Sequence, residues 1–395
     1  MLFPSLSYQE PVQYRLIYVL AVIFAFHNSL ILFINSTYIE RFVAPEVVGT
    51  LFMIGSSIAV LSFLFIAKVL RRVGNVRLTI WLVVLDILAL IALGLTASPA
   101  MAIVALVLFL FINPLIYLNL DIFSETLIGD DENSTGHKRG LVLALISGAA
   151  MVAPLTITHI AGPQELHLER VYLVAAGVFS IFLMIILSRF NNFTDPAYHE
   201  VRVFDALRDF WKNHNIRFSL FAQFILQLAF SWLVIYIPLY LISVMGLTWA
   251  DIGIAIAVGT IAYVLFEFPV GYIADNYIGE KEMMTFGFII MSATFIALSF
   301  ITSSSVFLWM LMMFLMRTGA SLVETTVESY FFKHTKGTDT NYLSFFRLTR
   351  PLAIVAGGLL GSVSLLFLPF SYIFIVMGCA LMFGVYSAYH IEDTR

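Results

Sequence analysis

Apolar stretches long enough to cross a membrane recur twelve times along the chain, near residues 16–38, 47–67, 78–97, 100–124, 140–161, 170–188, 217–244, 250–273, 284–302, 304–331, 343–367 and 370–390. Each is close to the roughly 20 residues that a helix needs to span the hydrocarbon core. None shows the alternation of apolar and polar positions that a membrane-barrel strand requires. The one long polar interruption, residues 189–216, divides the stretches six and six. The pattern predicts an all-α integral membrane protein of twelve transmembrane helices in two six-helix bundles, residues 1–188 and 217–395, joined by a linker over 189–216. Within that linker Phe204, Leu207, Phe210 and Trp211 recur at helical spacing, with Asp205, Arg208, Asp209 and Lys212 on the other face. Such a segment is expected to lie as an amphipathic helix on the membrane surface.

Composition supports the same class. Hydrophobic residues make up 61% of the chain and charged residues 12%, against roughly 25% charged in a soluble domain, and the mean hydropathy is +0.95. The first 15 residues lack a basic region ahead of the first apolar stretch, which is therefore read as a retained helix rather than a cleaved leader. The single cysteine, Cys379, lies in an apolar segment and is expected to serve packing; one thiol forms no disulfide framework. Eighteen of the 21 Lys and Arg residues fall in segments on one side of the predicted spans. Basic residues concentrate in cytoplasmic loops, so both termini are assigned to the cytoplasm and the chain to the cytoplasmic membrane.

Two loops are related. Residues 271–281 read GYIADNYIGEK, and residues 67–77 read AKVLRRVGNVR. The first resembles the G-x-L-A-D-x-x-G-R-K signature of the major facilitator superfamily, carried by Gly271, Ile273, Ala274, Asp275, Gly279 and Lys281. It has one extra residue between Asp275 and Gly279, and Glu280 stands where a base is usual. The second keeps Gly74 and basic residues, with Arg71 in the aspartate's place. The resemblance implies two pseudo-symmetric bundles and a cytoplasmic gate made of Arg71, Arg72, Arg139, Gly271, Asp275, Lys281, Arg347 and Arg350. Gly140, Gly148 and Pro154 in the fifth span faintly resemble a motif of exporters in that superfamily.

Ionisable groups inside a membrane are costly and mark cavities or partners. Asp121 and Glu125 on the fourth span, and Glu324 and Glu328 on the tenth, are acidic pairs four residues apart, each on one helix face. They, with Glu267 on the eighth span, are candidates for proton coupling or for a latch with Arg139, Arg347 and Arg350. Asp86 on the third span reads as a structural partner. Arg317, within the tenth span, can hold an anionic group of a cargo or neutralise Glu324. His27, Asn28 and Asn35 on the first span, Asn119 on the fourth, and Gln223 and Gln227 on the seventh are candidate substrate ligands, with interhelical hydrogen bonding as the plain alternative. His27 is also a candidate for titration between about pH 5 and 8.

No G-x-x-x-x-G-K-[ST] occurs and no cofactor or metal site is expected. The expected activity is secondary active transport of a small solute by alternating access, with proton coupling as an option, by a monomer that contacts lipid and no nucleic acid. The alternatives are an uncoupled facilitator, a transporter-like sensor without flux, and a multipass enzyme acting on lipid, for which no H-E-x-x-H or G-x-S-x-G is present.

Overall fold

The computed structural model describes residues 12–128, 132–162, 167–198, 212–334 and 340–392. Apart from Lys212, the expected amphipathic helix of the linker lies outside them. The elements, in order, are α1 (Val12–Leu32), α2 (Ile34–Ile39), α3 (Pro45–Val73), α4 (Asn75–Leu95), α5 (Pro99–Ile128), α6 (Glu132–Ala161), α7 (Leu168–Arg189), α8 (His214–Ser243), α9 (Trp249–Ile273), α10 (Glu280–Leu298), α11 (Val306–His334), α12 (Thr340–Phe367) and α13 (Ile373–His390). Among the described residues eleven helices are long and apolar enough to cross a membrane, and α6 contributes a further apolar stretch over Leu145–Ala161.

The first predicted span is broken: α1 stops at Leu32, and α2 resumes at Ile34 after a turn at Phe33. Other helices run past the apolar stretches that announced them. α3 continues through Lys68, Arg71 and Arg72 to Val73, because a propagating helix satisfies its own backbone while long basic side chains reach back to water. Local chemistry sets several helix starts. Thr248 and Asp251 form a reciprocal capping box ahead of α9, and Asn213 accepts from the Ile216 amide ahead of α8.

Helices pack closely within each half, while one apolar core runs through the second half and the far-face side of the first, and a second core fills the linker-face side of the first. In the first half α1 packs on α6 and α7, and α4 on α5 and α7; in the second, α11 packs on α9 and α10, and α13 on α10 and α8. Large apolar side chains such as Leu61, Phe65, Leu95, Phe307 and Phe367 stand exposed around the outside. Apolar surface on that scale belongs in lipid. Cys379 is exposed in this belt, so its expected packing role is replaced by an outward position on α13. The linker's residues 190–198 define one face, and α4 starts beside Asp195 there. On the opposite, far face lie the start of α3, the end of α12, the end of α6 and the start of α9.

Candidate functional site

The halves meet along two helix pairs, α3 with α12 and α6 with α9, and α2 adds a contact to α8. Exchanging the halves converts one pair into the other. The close contacts sit toward the far face. A Cβ placed on Gly358 would overlap the carbonyl oxygen of Gly49, and one on Gly49 would overlap the Tyr236 hydroxyl. Tyr236 donates to the Gly358 carbonyl at 2.8 Å, Thr50 and Ser362 hydroxyls are 3.4 Å apart, and Ser36 reaches the Val234 carbonyl at 3.5 Å. In the second pair, a Cβ on Gly253 would stand 2.8 Å from the Pro154 carbonyl oxygen. Glycines at these crossings let backbones touch, which is how helices associate where no hydrophobic force separates them from lipid.

A polar cluster lies between α9 and α11 in the second half. The Arg317 guanidinium sits 5.6 Å from the ring centres of both Phe230 and Tyr263, and its stem runs along Gly259. Tyr263, buried, has its hydroxyl beside Arg317 and Glu324, without a well-aligned hydrogen bond. Glu324 is half-buried and feels both Arg317 and Arg350, while exposed Glu267, one turn along α9 from Tyr263, feels Glu324. The structure thus gathers Arg317, Glu324 and Glu267 into one place and adds Tyr263 and Phe230, which sequence reasoning missed. Gln223 and Gln227 are buried on α8, and the Gln223 side-chain oxygen has no hydrogen-bond partner.

The first-half candidates separate. Asn119 is fully buried between α4 and α5; its side-chain amide donates to the Thr79 hydroxyl at 3.1 Å and its backbone carbonyl accepts from the Asn75 side chain at 3.0 Å, which are contacts of helix packing. Asn35 accepts from Tyr172 at 2.9 Å. Asn28 is half-buried. His27 is fully buried, 3.1 Å from Asp86. Sequence analysis placed His27 among cargo ligands; its surroundings are instead the aromatic interior of the first bundle. Glu328, Arg350, Arg71 and Arg72 are exposed and Asp121 half-buried. For Glu125, Arg139, Asp275 and Arg347 the side chains lie outside the described atoms. Among the described residues no group of three His, Cys, Asp or Glu side chains is arranged for a metal.

The two related loops share a backbone device. Gly74 and Gly279 have φ of +83° and +104°, both with ψ of 156°, and each opens the next helix. Only glycine takes this conformation without strain. Ahead of Gly279, residues Ala274–Ile278 form a π-helical turn, with the Gly279 amide bonded to the Ala274 carbonyl. That turn absorbs the extra residue by which the motif departs from its family pattern. Glu280, almost wholly buried, is held by Lys333 and Ser329 of α11, and Lys281 lies over the Tyr389 ring at 5.0 Å.

In the first loop, where Arg71 replaces the motif's acid, a carboxylate arrives from the linker. Asp195 accepts from the Asn75 amide at 2.8 Å and from Tyr198 at 2.6 Å, and Phe193 packs on Phe123 beside it. The acid caps α4, where a helix's free amides and positive end favour it. Asp195→Ala is expected to cost about 0.5 to 1 kcal/mol by loss of that cap, read as a lower thermal midpoint. Burial and the Asp195 carboxylate push the Tyr198 phenol above its ordinary 10.0. The stability this brings is complete below that value and erodes as pH rises above it, because only the unfolded chain then loses its proton. A Tyr198→Phe chain should lose this alkaline slope.

Residues 219–394 match the sequence profile of the Major Facilitator Superfamily. Solved structures share the fold over nearly the whole chain. The nucleoside transporter NupG is 11% identical with a TM-score of 0.71, covering 96% of this chain and 99% of that one. The POT family transporter PepTSo is 11% identical with a TM-score of 0.76, covering 96% and 97%. A POT family transporter in complex with 5-aminolevulinic acid is 14% identical with a TM-score of 0.74, covering 94% and 95%. A search of curated proteins gives no significant sequence match. The second half thus matches the superfamily's profile, and the whole chain shares the all-helical, two-bundle fold of these solved structures.

Proposed function

We propose that the chain is a secondary active transporter that moves a small solute across the cytoplasmic membrane by alternating access, and that the state described is closed at the far face. What supports the reading is the far-face closure itself. It is built from two helix pairs that exchange under the relation between the halves, as a rocking motion about a central site requires. The linker face is taken as cytoplasmic from the distribution of Lys and Arg, with both termini there. The bundles are 1–188 and 217–395, moving as one monomer around the linker.

Cargo is assigned to the space beside Arg317, with Gln223, Gln227 and Asn28 as further polar contacts. The guanidinium offers a charged, planar donor set suited to a carboxylate or phosphate on the cargo. Glu267 and Glu324 are the acids placed to exchange with Arg317 as cargo enters or leaves, and Glu328, Asp121 and Arg350 form the polar edge on the linker face. Direct drive by ATP has no seat in this chain.

The test is uptake by proteoliposomes of a solute panel, with and without an inward proton gradient, after a thermal-shift screen has found a stabilising solute. Accumulation above the external concentration is expected only with a gradient. A stabilising solute that never crosses would replace the transporter by a sensor, and crossing indifferent to every ion gradient would leave a facilitator.

A further inference from the structure

The first half buries an ionisable pair that the cargo site does not use. His27 on α1 and Asp86 on α4 are both fully buried, with Nε2 3.1 Å from Oδ2. The contact is off the line of a hydrogen bond, and neither ring nitrogen nor either carboxylate oxygen has a hydrogen-bond partner. Aromatic rings pack against it: Phe179 of α7 stacks on it at 4.0 Å between centroids, Phe109 of α5 meets it edge-on at 6.4 Å, and Phe24 lies tilted at 6.3 Å. His27 is the one ionisable neighbour acting on Asp86 among the described residues. On the other helices packed against α1, Tyr117 of α5 lies tilted against Phe24 and His159 of α6 is exposed.

Stability does not account for such a pair. Replacing a buried ion pair with apolar side chains of similar shape is commonly neutral or stabilising. An ionisable residue inside a membrane marks a site until shown otherwise. The ligand that suits this site is the smallest one. With the carboxylate ionised and the ring neutral the pair carries a negative charge in an apolar interior, and one added proton removes it.

A second observation supplies an approach from the far face. His167 pairs with Glu169 at 2.8 Å, Arg41 lies 3.9 Å from Glu169 and 5.6 Å above the Tyr38 ring, and Tyr38 meets Tyr172 edge-on. Tyr172 donates to Asn35, whose own amide nitrogen has no hydrogen-bond partner. This lane of polar groups stops at Asn35. His27 is eight residues deeper, about 12 Å along a helix axis, and the break at Phe33 falls between them. The α2 segment that ends the lane is the one held to α8 through Ser36 and Val234.

We propose that His27 and Asp86 form a proton-binding site in the first bundle, loaded from the far face and sealed from water while the halves are closed there. The proton comes from water and returns to it; one O–H or N–H bond forms on loading and breaks on release, and nothing else changes. Sealing is set by α2, which leaves α8 when the far face opens. The idea rests on the alternating-access reading for its gating alone.

The test needs no cargo. The full chain, with Thr50→Cys and Ser362→Cys and Cys379→Ser, is placed in lipid nanodiscs with its eight histidines labelled with nitrogen-15. Deuterium exchange and pH titration of the His27 ring are followed by NMR before and after oxidation, with His27→Gln used to assign the signal. The reduced chain is expected to titrate and exchange at His27, and the cross-linked chain to exchange at least tenfold more slowly. Asp86→Asn should move the titration in the reduced chain. Equal behaviour in both redox states, or a ring silent in both, overturns the proposal. A gated His27 in a chain without flux for any solute would instead overturn the transporter reading and leave the proton site standing.

Discussion

Gly358→Val is expected to open the far face. The added Cβ overlaps the Gly49 carbonyl oxygen, a backbone atom held in its own helix that has no rotamer by which to yield. Overpacking of this kind costs about 1 to 3 kcal/mol, and each 1.4 kcal/mol is tenfold in an equilibrium. The population closed at the far face should therefore fall by roughly 5- to 100-fold relative to the open one. A Thr50→Cys probe in a Cys379→Ser background reads the change as faster reaction with a membrane-impermeant thiol reagent. Gly148 supplies a control: it faces open space, so Gly148→Ala should have no effect. Unchanged labelling in Gly358→Val would mean that the glycine contact does not hold the halves together.

Arg317→Ala is expected to abolish uptake while removing the cation that faces Glu324. Stranding one member of a buried charge pair costs about 3 to 5 kcal/mol. Glu324 is only half-buried and also feels Arg350, so a loss nearer 1 to 2 kcal/mol of stability is expected. The double variant Arg317→Ala with Glu324→Gln removes the stranded charge and should regain most of the thermal midpoint. Uptake of the solute found by screening should stay at least tenfold down in both variants, because the group assigned to cargo is still missing. If uptake returned together with stability, Arg317 would be a structural counter-ion and the cargo site would lie elsewhere.

The spans were readable because crossing hydrocarbon demands a length of apolar chain that nothing else in the sequence imitates. Gly74 and Gly279 were readable for a similar reason: both turns need a backbone conformation that glycine alone takes easily, so the residue betrays the geometry. The turn at Phe33 was not, since no glycine or proline marks it; packing of α2 on the other half is the feature that accompanies it. Pairing across a bundle leaves no local trace either. His27 and Asp86 are 59 positions apart on helices whose facing sides are set by the whole bundle, so a histidine on a polar stretch of the first span read as a cargo ligand. Asp195 was overlooked because an acid in a polar linker looks like any solvated charge. Its role follows from the fold, which brings residues 190–198 back against the start of α4. The motif's extra residue was visible in the sequence, whereas its accommodation by a π-helical turn was not.

The most direct measurement is the distance between the two halves at the far face. Spin labels at Val47, at the start of α3, and Leu366, at the end of α12, both exposed, can be followed by pulsed double electron–electron resonance in nanodiscs. Alternating access predicts two distances, a short one matching the closed contact and a longer one whose share grows in Gly358→Val. A single distance, unchanged by that substitution and by every solute that stabilises the protein, would contradict it.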